Sequence, residues 1–223
     1  MGLTLYSHPL ASYCQKVLIA LYELEVPFEQ HVVDLMNPAA AAEHIARWPV
    51  GKMPLLHDGS NDRTLPESSI IIEYLDRHYS GKASGKAPLL PADTERALHV
   101  RLQDRFYDLY VQTHIQKIVG DRIRPAGASD PHGVDGAKTQ LRTAYDMIER
   151  SMASQPWAAG AAFTMADCAA APALFYANLV VPFGDTHPNA AAYLARLRER
   201  PSVARTFEEA KPYLHLFPRE PRA

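Results

Sequence analysis

The pattern of apolar and polar positions in the first eighty residues predicts alternating strands and helices. Segments that are apolar at every second position or rich in β-branched residues indicate strands, at residues 3–7, 28–34 and 54–57. Segments with apolar or Ala-rich helical spacing indicate helices, at residues 14–24, 37–48 and 68–79. An Asp-Gly turn after the third strand adds a hairpin, and the whole order predicts a compact α/β layer.

The rest of the chain has helical patterning only. We predict a first domain over residues 1–80, an exposed linker rich in Gly, Ser, Lys and Pro over 81–91, and an all-α domain over 92–223. Apolar positions at helical spacing predict helices over residues 93–122, 134–153, 165–179, 190–199 and 202–210.

Composition and charge exclude several classes of function. The chain has 223 residues, 23 basic and 25 acidic side chains and a net charge of −2, so nothing attracts it strongly to nucleic acid or anionic lipid. Its two cysteines, Cys14 and Cys168, match neither a disulfide framework nor a metal motif. With no secretory signal, no apolar span and no zinc or phosphate-loop motif, we expect a cytoplasmic protein without a metal.

Ser12 and Gln15 stand three positions apart where the first helix is expected to begin. Ser followed by Gln at this spacing is typical of a capping box, in which the two side chains satisfy free backbone groups. A helix N-terminus also offers free N–H groups and positive potential, which favour a bound anion such as a thiolate. Both interpretations stay open from these residues alone.

Five motifs resemble the cytosolic glutathione transferase family, and they occur in the family's order over nearly the whole chain. They are LYSHPLASYCQKV at 5–17, GKMPL at 51–55, LPESSII at 65–71, LLPAD at 89–93 and FTMAD at 163–167. The resemblance implies a thioredoxin-like α/β N-terminal domain joined to an all-α C-terminal domain, in a bacterial member of the serine or cysteine type. It also implies that FTMAD forms a structural capping box.

The same resemblance implies a set of contacts to glutathione, the expected co-substrate. The backbone of Met53, before a cis Pro54, would pair with the cysteinyl part, and Lys52 would neutralise the glycyl carboxylate. Ser68 would bind the γ-glutamyl carboxylate and Glu67 its ammonium group. Taken by themselves, these residues fit a trans proline, a solvated lysine and ordinary residues at the start of a helix.

The chain departs from the family at the position that meets the glutathione sulfur, where it carries Ala11. We therefore predict Ser12 as the catalytic residue, acting through its hydroxyl or its N–H. Tyr13 is a weaker candidate because the family's catalytic tyrosine lies closer to the first strand. Cys14 matches only the second cysteine of a glutaredoxin-like motif, so disulfide reduction is disfavoured.

A pocket for a hydrophobic electrophile is implied between the two domains. Its predicted lining residues are Leu10, Tyr13, Tyr107, Tyr110 and His114. The last three follow helical spacing, which a core stripe or a dimer-facing stripe explains equally well.

The leading functional hypothesis is a detoxifying glutathione transferase that forms a two-fold homodimer. One alternative is a glutathione-dependent cis–trans isomerase of the maleylacetoacetate type, although the Ser-Ser-Cys run of that branch is absent. The other is a non-catalytic module that binds glutathione or a protein, in which Ala11 reflects lost catalysis.

Overall fold

The computed structural model of the chain describes residues 2–79 and 87–218. The first range holds four strands and three helices in the predicted order. They are β1 (Leu3–Ser7), α1 (Ser12–Glu23), β2 (Phe28–Val32), α2 (Pro38–Arg47), β3 (Leu55–Asp58), β4 (Arg63–Pro66) and α3 (Ser68–Tyr79).

The four strands form one mixed sheet in the order β2-β1-β3-β4. β1 pairs in parallel with β2, because α1 crosses over between them, and antiparallel with β3. Leu5 lies in the middle of the sheet and is paired with Leu56 of β3, and both side chains are fully buried. The predicted thioredoxin-like α/β layer is confirmed.

The second range is helical, as predicted. Its elements are α4 (Thr94–Phe106), a π-helical turn (Tyr107–Gln112), α5 (Thr113–Arg122), α6 (Pro131–Met152), α7 (Met165–Val180), α8 (Pro188–Glu199) and α9 (Pro201–Ala210), with two short 3₁₀ segments at Gly184–Thr186 and Lys211–Leu216.

The helix predicted over residues 93–122 contains an interruption that the pattern did not indicate. Its middle is the π-helical turn, in which the Thr113 N–H bonds to the carbonyl of Asp108 instead of to a residue four positions earlier. The extra residue rotates the helix faces on either side of it. Such turns are rare and concentrate at functional sites.

Helix α1 belongs to the sheet-containing part of the chain but packs on both parts. It lies against α3 on one side and against α7 and α9 on the other. Apolar side chains on α1 are buried over its whole length, including Val17, Leu18 and Leu21. One continuous core therefore joins the α/β layer to the helices.

Only the end of the predicted linker can be compared with the structure, because residues 81–86 lie outside the described residues. Leu89 is buried, and its N–H donates to Asp76 Oδ1 at 2.7 Å. The Leu89 carbonyl accepts from the Met165 N–H at 3.0 Å. This end of the segment is therefore anchored to α3 and α7, and the exposure expected of a linker does not hold at Leu89.

The predicted capping box at the start of α7 is confirmed. Asp167 is fully buried and accepts the N–H of Thr164 at 2.8 Å. It also accepts the Ala158 N–H at 2.8 Å and the Tyr193 hydroxyl at 2.5 Å. A helix buried in the core must satisfy its first donors internally, and Asp167 does so while joining α7 to α8.

Asp58 holds the hairpin between β3 and β4 to the end of α3. Its buried carboxylate accepts hydrogen bonds from the hydroxyls of Tyr79 and Tyr74, at 2.5 and 2.7 Å, from the Asn61 amide at 2.8 Å and from the Ser60 N–H at 2.9 Å. Burial raises the pKa of Asp58, but these hydrogen bonds outweigh it and the net pKa lies well below the usual range.

The low pKa gives a stability prediction with a defined sign. An unfolded aspartate titrates near pH ~4, so ionised Asp58 stabilises the fold fully above that pH, and its contribution is lost as the pH falls through the lower folded pKa. Asp58→Asn should lower the free energy of unfolding by about 2–3 kcal/mol at neutral pH, and the deficit should shrink in acid.

Urea unfolding over a pH series measures this difference. The exposed Asp135→Asn change is the matched control and should leave stability nearly unchanged. Equal stability of Asp58→Asn and the unmodified chain at neutral pH would contradict the role of Asp58.

Candidate functional site

The first turn of α1 presents free backbone donors. Ala11 is the N-cap residue, and its carbonyl accepts from the N–H groups of Cys14 and Gln15, both at 2.9 Å. Alanine has no side-chain acceptor, and the hydrogen bonds among the described residues leave the N–H groups of Ser12 and Tyr13 free. These donors and the helix dipole produce positive potential at this turn.

Of the two interpretations left open for Ser12 and Gln15, the capping box is not formed. Ala11 is the N-cap residue, so Ser12 is already the first residue of the helix. The Ala11 N–H donates to the His8 carbonyl and closes the turn that precedes the helix. Gln15 donates instead to the Pro9 carbonyl at 2.8 Å and to the Tyr176 hydroxyl at 3.1 Å. Ser12 is therefore not used as a cap, and its hydroxyl has no partner among the described residues.

Ser12 lies at a narrow cleft between the α/β layer and the helices. The side chain is 7% exposed, and the cleft beside it is also lined by Tyr13 of α1, by Asp108 and Gln112 of the π-helical turn and by Pro172 of α7. A group bound at the N-terminus of α1 therefore faces residues of the helical part of the chain.

Tyr13 and Cys14, the neighbours of Ser12, are unsuited to form an anion at neutral pH. The Tyr13 hydroxyl donates to the Asp108 carbonyl at 3.3 Å, and burial raises its pKa to about 12. Cys14 is fully buried, and burial raises the pKa of its thiol to about 12 as well. Both side chains stay protonated, so they cannot act as a base or as a thiolate nucleophile.

The segment before β3 has the geometry that the resemblance implied. The Met53–Pro54 bond is cis, and Met53 precedes Leu55, the first residue of β3 that pairs within the sheet. Lys52 is exposed, and its carbonyl lies 3.0 Å from Nε2 of the buried His44. That contact requires the tautomer with hydrogen on Nε2, and it fixes the loop to α2.

The start of α3 contains a residue in an unfavourable backbone conformation. Glu67 has a φ of +70°, in the left-handed region that favours glycine, and its side chain is exposed. Its carbonyl accepts the Ile71 N–H at 2.9 Å, so Ser68 is the first residue of the helix and is buried. Such strained residues cluster at ligand sites, where the local geometry is used for binding.

A buried ionic cluster under α1 was missed in the sequence analysis. Lys16 is 1% exposed, and its Nζ lies 2.6 Å from Asp104 Oδ1 and 2.8 Å from Asp108 Oδ2. The Ser69 hydroxyl accepts from Lys16 at 2.9 Å and donates to Asp104 at 2.6 Å, and Arg105 contacts both carboxylates. Two cations and two anions from α1, α4 and the π-helical turn thus balance each other, and Ser69 joins them to α3.

Two weak local signals could have indicated this cluster. Lys16 directly precedes the apolar run at 17–21 of the first helix, and Asp104 and Asp108 are spaced four residues apart, so they face the same way on a helix. Burial and the nearby Asp104 charge raise the pKa of Asp108, whereas Lys16 and Arg105 oppose that rise. The balance depends on residues about ninety positions apart, which no local pattern reveals.

The predicted lining residues of the acceptor pocket have different environments. Tyr107 is 1% exposed and packs edge-on against Phe106. It is therefore a core residue, as the core-stripe alternative in the sequence analysis allowed, and its prediction as a substrate contact is wrong. Tyr110 is exposed, and Leu10 and His114 are half-buried. Of the predicted set, only Tyr13 lines the cleft beside Ser12, whereas Asp108 and Gln112 line it without having been predicted.

Two family models match the chain. The model of the glutathione S-transferase N-terminal domain matches residues 5–83, and the model of the C-terminal domain of the same family matches residues 131–196. Together they cover about two thirds of the chain. The chain belongs to the glutathione S-transferase family. The family and the architecture predicted from the five motifs are confirmed.

Similar proteins cover nearly the whole length of this glutathione S-transferase family member. Glutathione S-transferase GstB of Escherichia coli is 26% identical, over 90% of this chain and 95% of its own. A stringent starvation protein A homolog of Pasteurella multocida is 29% identical, over 94% of this chain and 92% of its own. The structure of a Methylobacterium radiotolerans glutathione S-transferase, solved with glutathione sulfonate, matches with a TM-score of 0.78 and 26% identity. The match covers 92% of this chain and 94% of that one.

The described residues of this glutathione S-transferase family member contain neither a metal-binding cluster nor a membrane-spanning helix. Across residues 2–79 and 87–218, no three His, Cys, Asp or Glu side chains are grouped so that they could hold a metal ion. In the same ranges, every helix is too short or too polar to cross a bilayer.

The ionic cluster gives a stability prediction. Lys16→Met leaves two buried carboxylates with Arg105 as the one cation that contacts them among the described residues, and it should lower the free energy of unfolding by about 3–5 kcal/mol. The matched control is Lys211→Met, which removes a lysine from an exposed pair with Glu208 and should cost less than about 1 kcal/mol. Chemical denaturation of both variants measures the difference, and equal stabilities would contradict a structural role for the cluster.

Proposed function

We propose that this chain is a glutathione transferase that joins the glutathione sulfur to an electrophilic carbon of a hydrophobic second substrate. Membership in the family supports the reaction class. The single observation that carries the assignment of the site is the first turn of α1, where the Ser12 hydroxyl and two backbone N–H groups have no hydrogen-bond partner among the described residues, and where Ser12 and Tyr13 line the cleft.

Glutathione binds along the edge formed by the cis-proline loop and the start of α3. The backbone groups of Met53, beside cis Pro54, have no hydrogen-bond partner among the described residues and pair with the cysteinyl part like an added strand. Ser68, at the N-terminus of α3, binds the γ-glutamyl carboxylate, and the exposed Glu67 pairs with its ammonium group. Lys52 is exposed next to this loop and neutralises the glycyl carboxylate.

Ser12 stabilises the sulfur as a thiolate. Its hydroxyl or N–H donates to the sulfur, so the thiol proton leaves to solvent at a lower pH than in free glutathione. The thiolate then forms a carbon–sulfur bond with the electrophile, and the leaving group departs with the electrons of the bond that breaks, for example as a halide. The protein lowers a pKa and positions the nucleophile.

The electrophile enters from the side of the cleft that the helices form. Tyr13 lies beside Ser12 with its protonated hydroxyl turned toward Asp108, so its ring is available for apolar contact. We assign Leu10, Tyr110 and His114 to the approach beyond the cleft, and burial lowers the pKa of His114, which favours its neutral form. These side chains suit an apolar acceptor better than a charged one.

Ser12→Ala tests the catalytic assignment. Hydrogen bonds to charged groups are worth about 1.5–3 kcal/mol, so the apparent pKa of bound glutathione should rise by about 1–2 units while binding is retained. The ultraviolet absorbance of the thiolate, followed through a pH titration, measures this pKa. Turnover of an aryl halide near neutral pH should fall about tenfold or more.

Ser154→Ala, an exposed serine far from α1 in sequence, is the matched control and should behave like the unmodified chain. Unchanged turnover in Ser12→Ala would remove the Ser12 hydroxyl from the mechanism and leave the backbone N–H groups as the donors.

One observation favours a second candidate, a non-catalytic module that binds glutathione or a protein. Ala11 offers no hydroxyl or thiol at the N-cap of α1, and one relative is named as a starvation protein rather than as a transferase. Turnover of an aryl halide, a peroxide and maleylacetone separates the candidates. Activity with none of them would favour the module, and isomerisation of maleylacetone without consumption of glutathione would favour an isomerase.

We also propose a homodimer built on exposed apolar side chains of α4, of the π-helical turn that follows it and of α3. Leu98, Leu102 and Leu109 are 59%, 60% and 49% exposed, and Ile70 of the adjacent α3 is 52% exposed. Exposed apolar side chains grouped in this way are typical of an interface between subunits.

Light scattering on Leu102→Glu tests the dimer. This charge should convert the dimer to a monomer, whereas Leu179→Glu, at a similarly exposed leucine of α7, should leave it intact. A monomer before any substitution would contradict the proposal.

A cytoplasmic location and a role in detoxification complete the proposed function. Cys14 and Cys168 are both free and buried, which suits a reducing compartment. Recovery of the native protein in a periplasmic or secreted fraction of its host would contradict the location.

A further inference from the structure

Helix α2 has a single buried side chain, and it is polar. His44 is 1% exposed, whereas the other residues of α2 are exposed or half-buried. A buried polar side chain is almost always held by a hydrogen bond. Here the bond runs from Nε2 of His44 to the Lys52 carbonyl at 3.0 Å. The role of this buried imidazole therefore lies in what it does to the loop that carries Lys52.

The loop after α2 turns back onto the end of the helix. The Trp48 N–H donates to the His44 carbonyl at 3.0 Å, and the Gly51 N–H donates to the Trp48 carbonyl at 2.8 Å. Gly51 has a φ of +68°, a conformation that glycine adopts without strain. Both the backbone and the ring of His44 are thus bonded to the loop, so the end of α2 and the loop form one unit.

The bond from His44 also sets the direction of the next backbone donor. The Lys52 carbonyl and the Met53 N–H belong to the same peptide unit, and that unit is trans. In a planar trans peptide the carbonyl and the N–H point in opposite directions. Because the carbonyl points to His44, the Met53 N–H points away from it, and this N–H has no acceptor among the described residues. His44 therefore aims a donor that a ligand can use.

We propose that His44 is a positioning residue for glutathione, which holds the Lys52–Met53 peptide so that the Met53 N–H is aimed at the cysteinyl part of the tripeptide. This inference rests on the proposed transferase function and deepens it. A donor that is fixed before the ligand arrives binds more tightly than one that is ordered on binding. Because a different element, α1, holds the sulfur, His44 acts on the affinity for glutathione and not on the chemical step.

His44→Phe tests this role, because phenylalanine fills a similar volume but donates no hydrogen bond. A typical hydrogen bond changes an equilibrium by a factor of about three to ten, so the Kd and the KM for glutathione should rise by that factor. The kcat with an aryl halide should stay nearly unchanged, since losing an interaction that is equal in the ground state and the transition state raises KM alone. Calorimetry measures Kd, and steady-state kinetics measure KM and kcat.

Two further variants separate positioning from packing. His44→Gln places an amide N–H near the position of Nε2 and should bind glutathione within about twofold of the unmodified chain. His44→Leu lacks a donor and should bind as weakly as His44→Phe. His132→Phe, at an exposed histidine of α6, is the matched control and should change neither Kd nor KM. Recovery by glutamine is not expected of a residue that only fills the core.

An unchanged Kd in His44→Phe and His44→Leu would overturn the positioning role, and so would a Kd in His44→Gln as high as in His44→Phe. Calorimetry does not depend on turnover, so the Kd values decide this role separately from the reaction. Failure of the unmodified chain to convert any electrophile while it binds glutathione would contradict the transferase function alone. Failure to bind glutathione at all would overturn both.

Discussion

The arrangement of the site depends on one buried cation, Lys16, and the two carboxylates that hold it. Taking these charges out of water is costly, and the cost is offset only when every partner is in place. Here Asp104 and Asp108 lie 2.6 and 2.8 Å from the Lys16 ammonium, and Ser69 of α3 contacts the same group. Helix α1 is thereby fixed against α3, α4 and the π-helical turn together.

This fixed packing determines what faces the cleft. Ser12 lies one turn before Lys16 on α1, so holding Lys16 against the π-helical turn turns Ser12 toward the same wall. Asp108 anchors that wall, and Gln112 follows it by four residues. Because the charges of the cluster balance, the positive potential at the cleft comes from the N-terminus of α1 rather than from a net charge beneath it.

The sequence predicted the local elements well because their signals lie within a few residues of each other. Leu3–Ser7 and Ser68–Tyr79 have the predicted bounds, and the Thr164–Asp167 capping box has the predicted partners. Alternation and cap chemistry depend on neighbouring residues, which the sequence displays directly.

The features that were missed or predicted wrongly depend on distant contacts. Helical spacing could not separate the buried Tyr107 from the exposed Tyr110, because the π-helical turn rotates the two faces. The capping-box interpretation of Ser12 and Gln15 does not hold, because Ala11 is the N-cap residue and Gln15 bonds to Tyr176, more than a hundred and fifty residues away. Of the glutathione contacts, only the cis bond before Pro54 is visible in the protein alone, and the others stay predictions.

The position of the glutathione sulfur is the most direct test of the site at the N-terminus of α1. A crystal structure of the complex with glutathione measures it. The predicted result is a sulfur within about 3.5 Å of the Ser12 hydroxyl or N–H, the range of hydrogen bonds to a thiolate, with the tripeptide lying along Met53 and Ser68. A sulfur directed into solvent away from Ser12, or no binding of the tripeptide, would contradict the site.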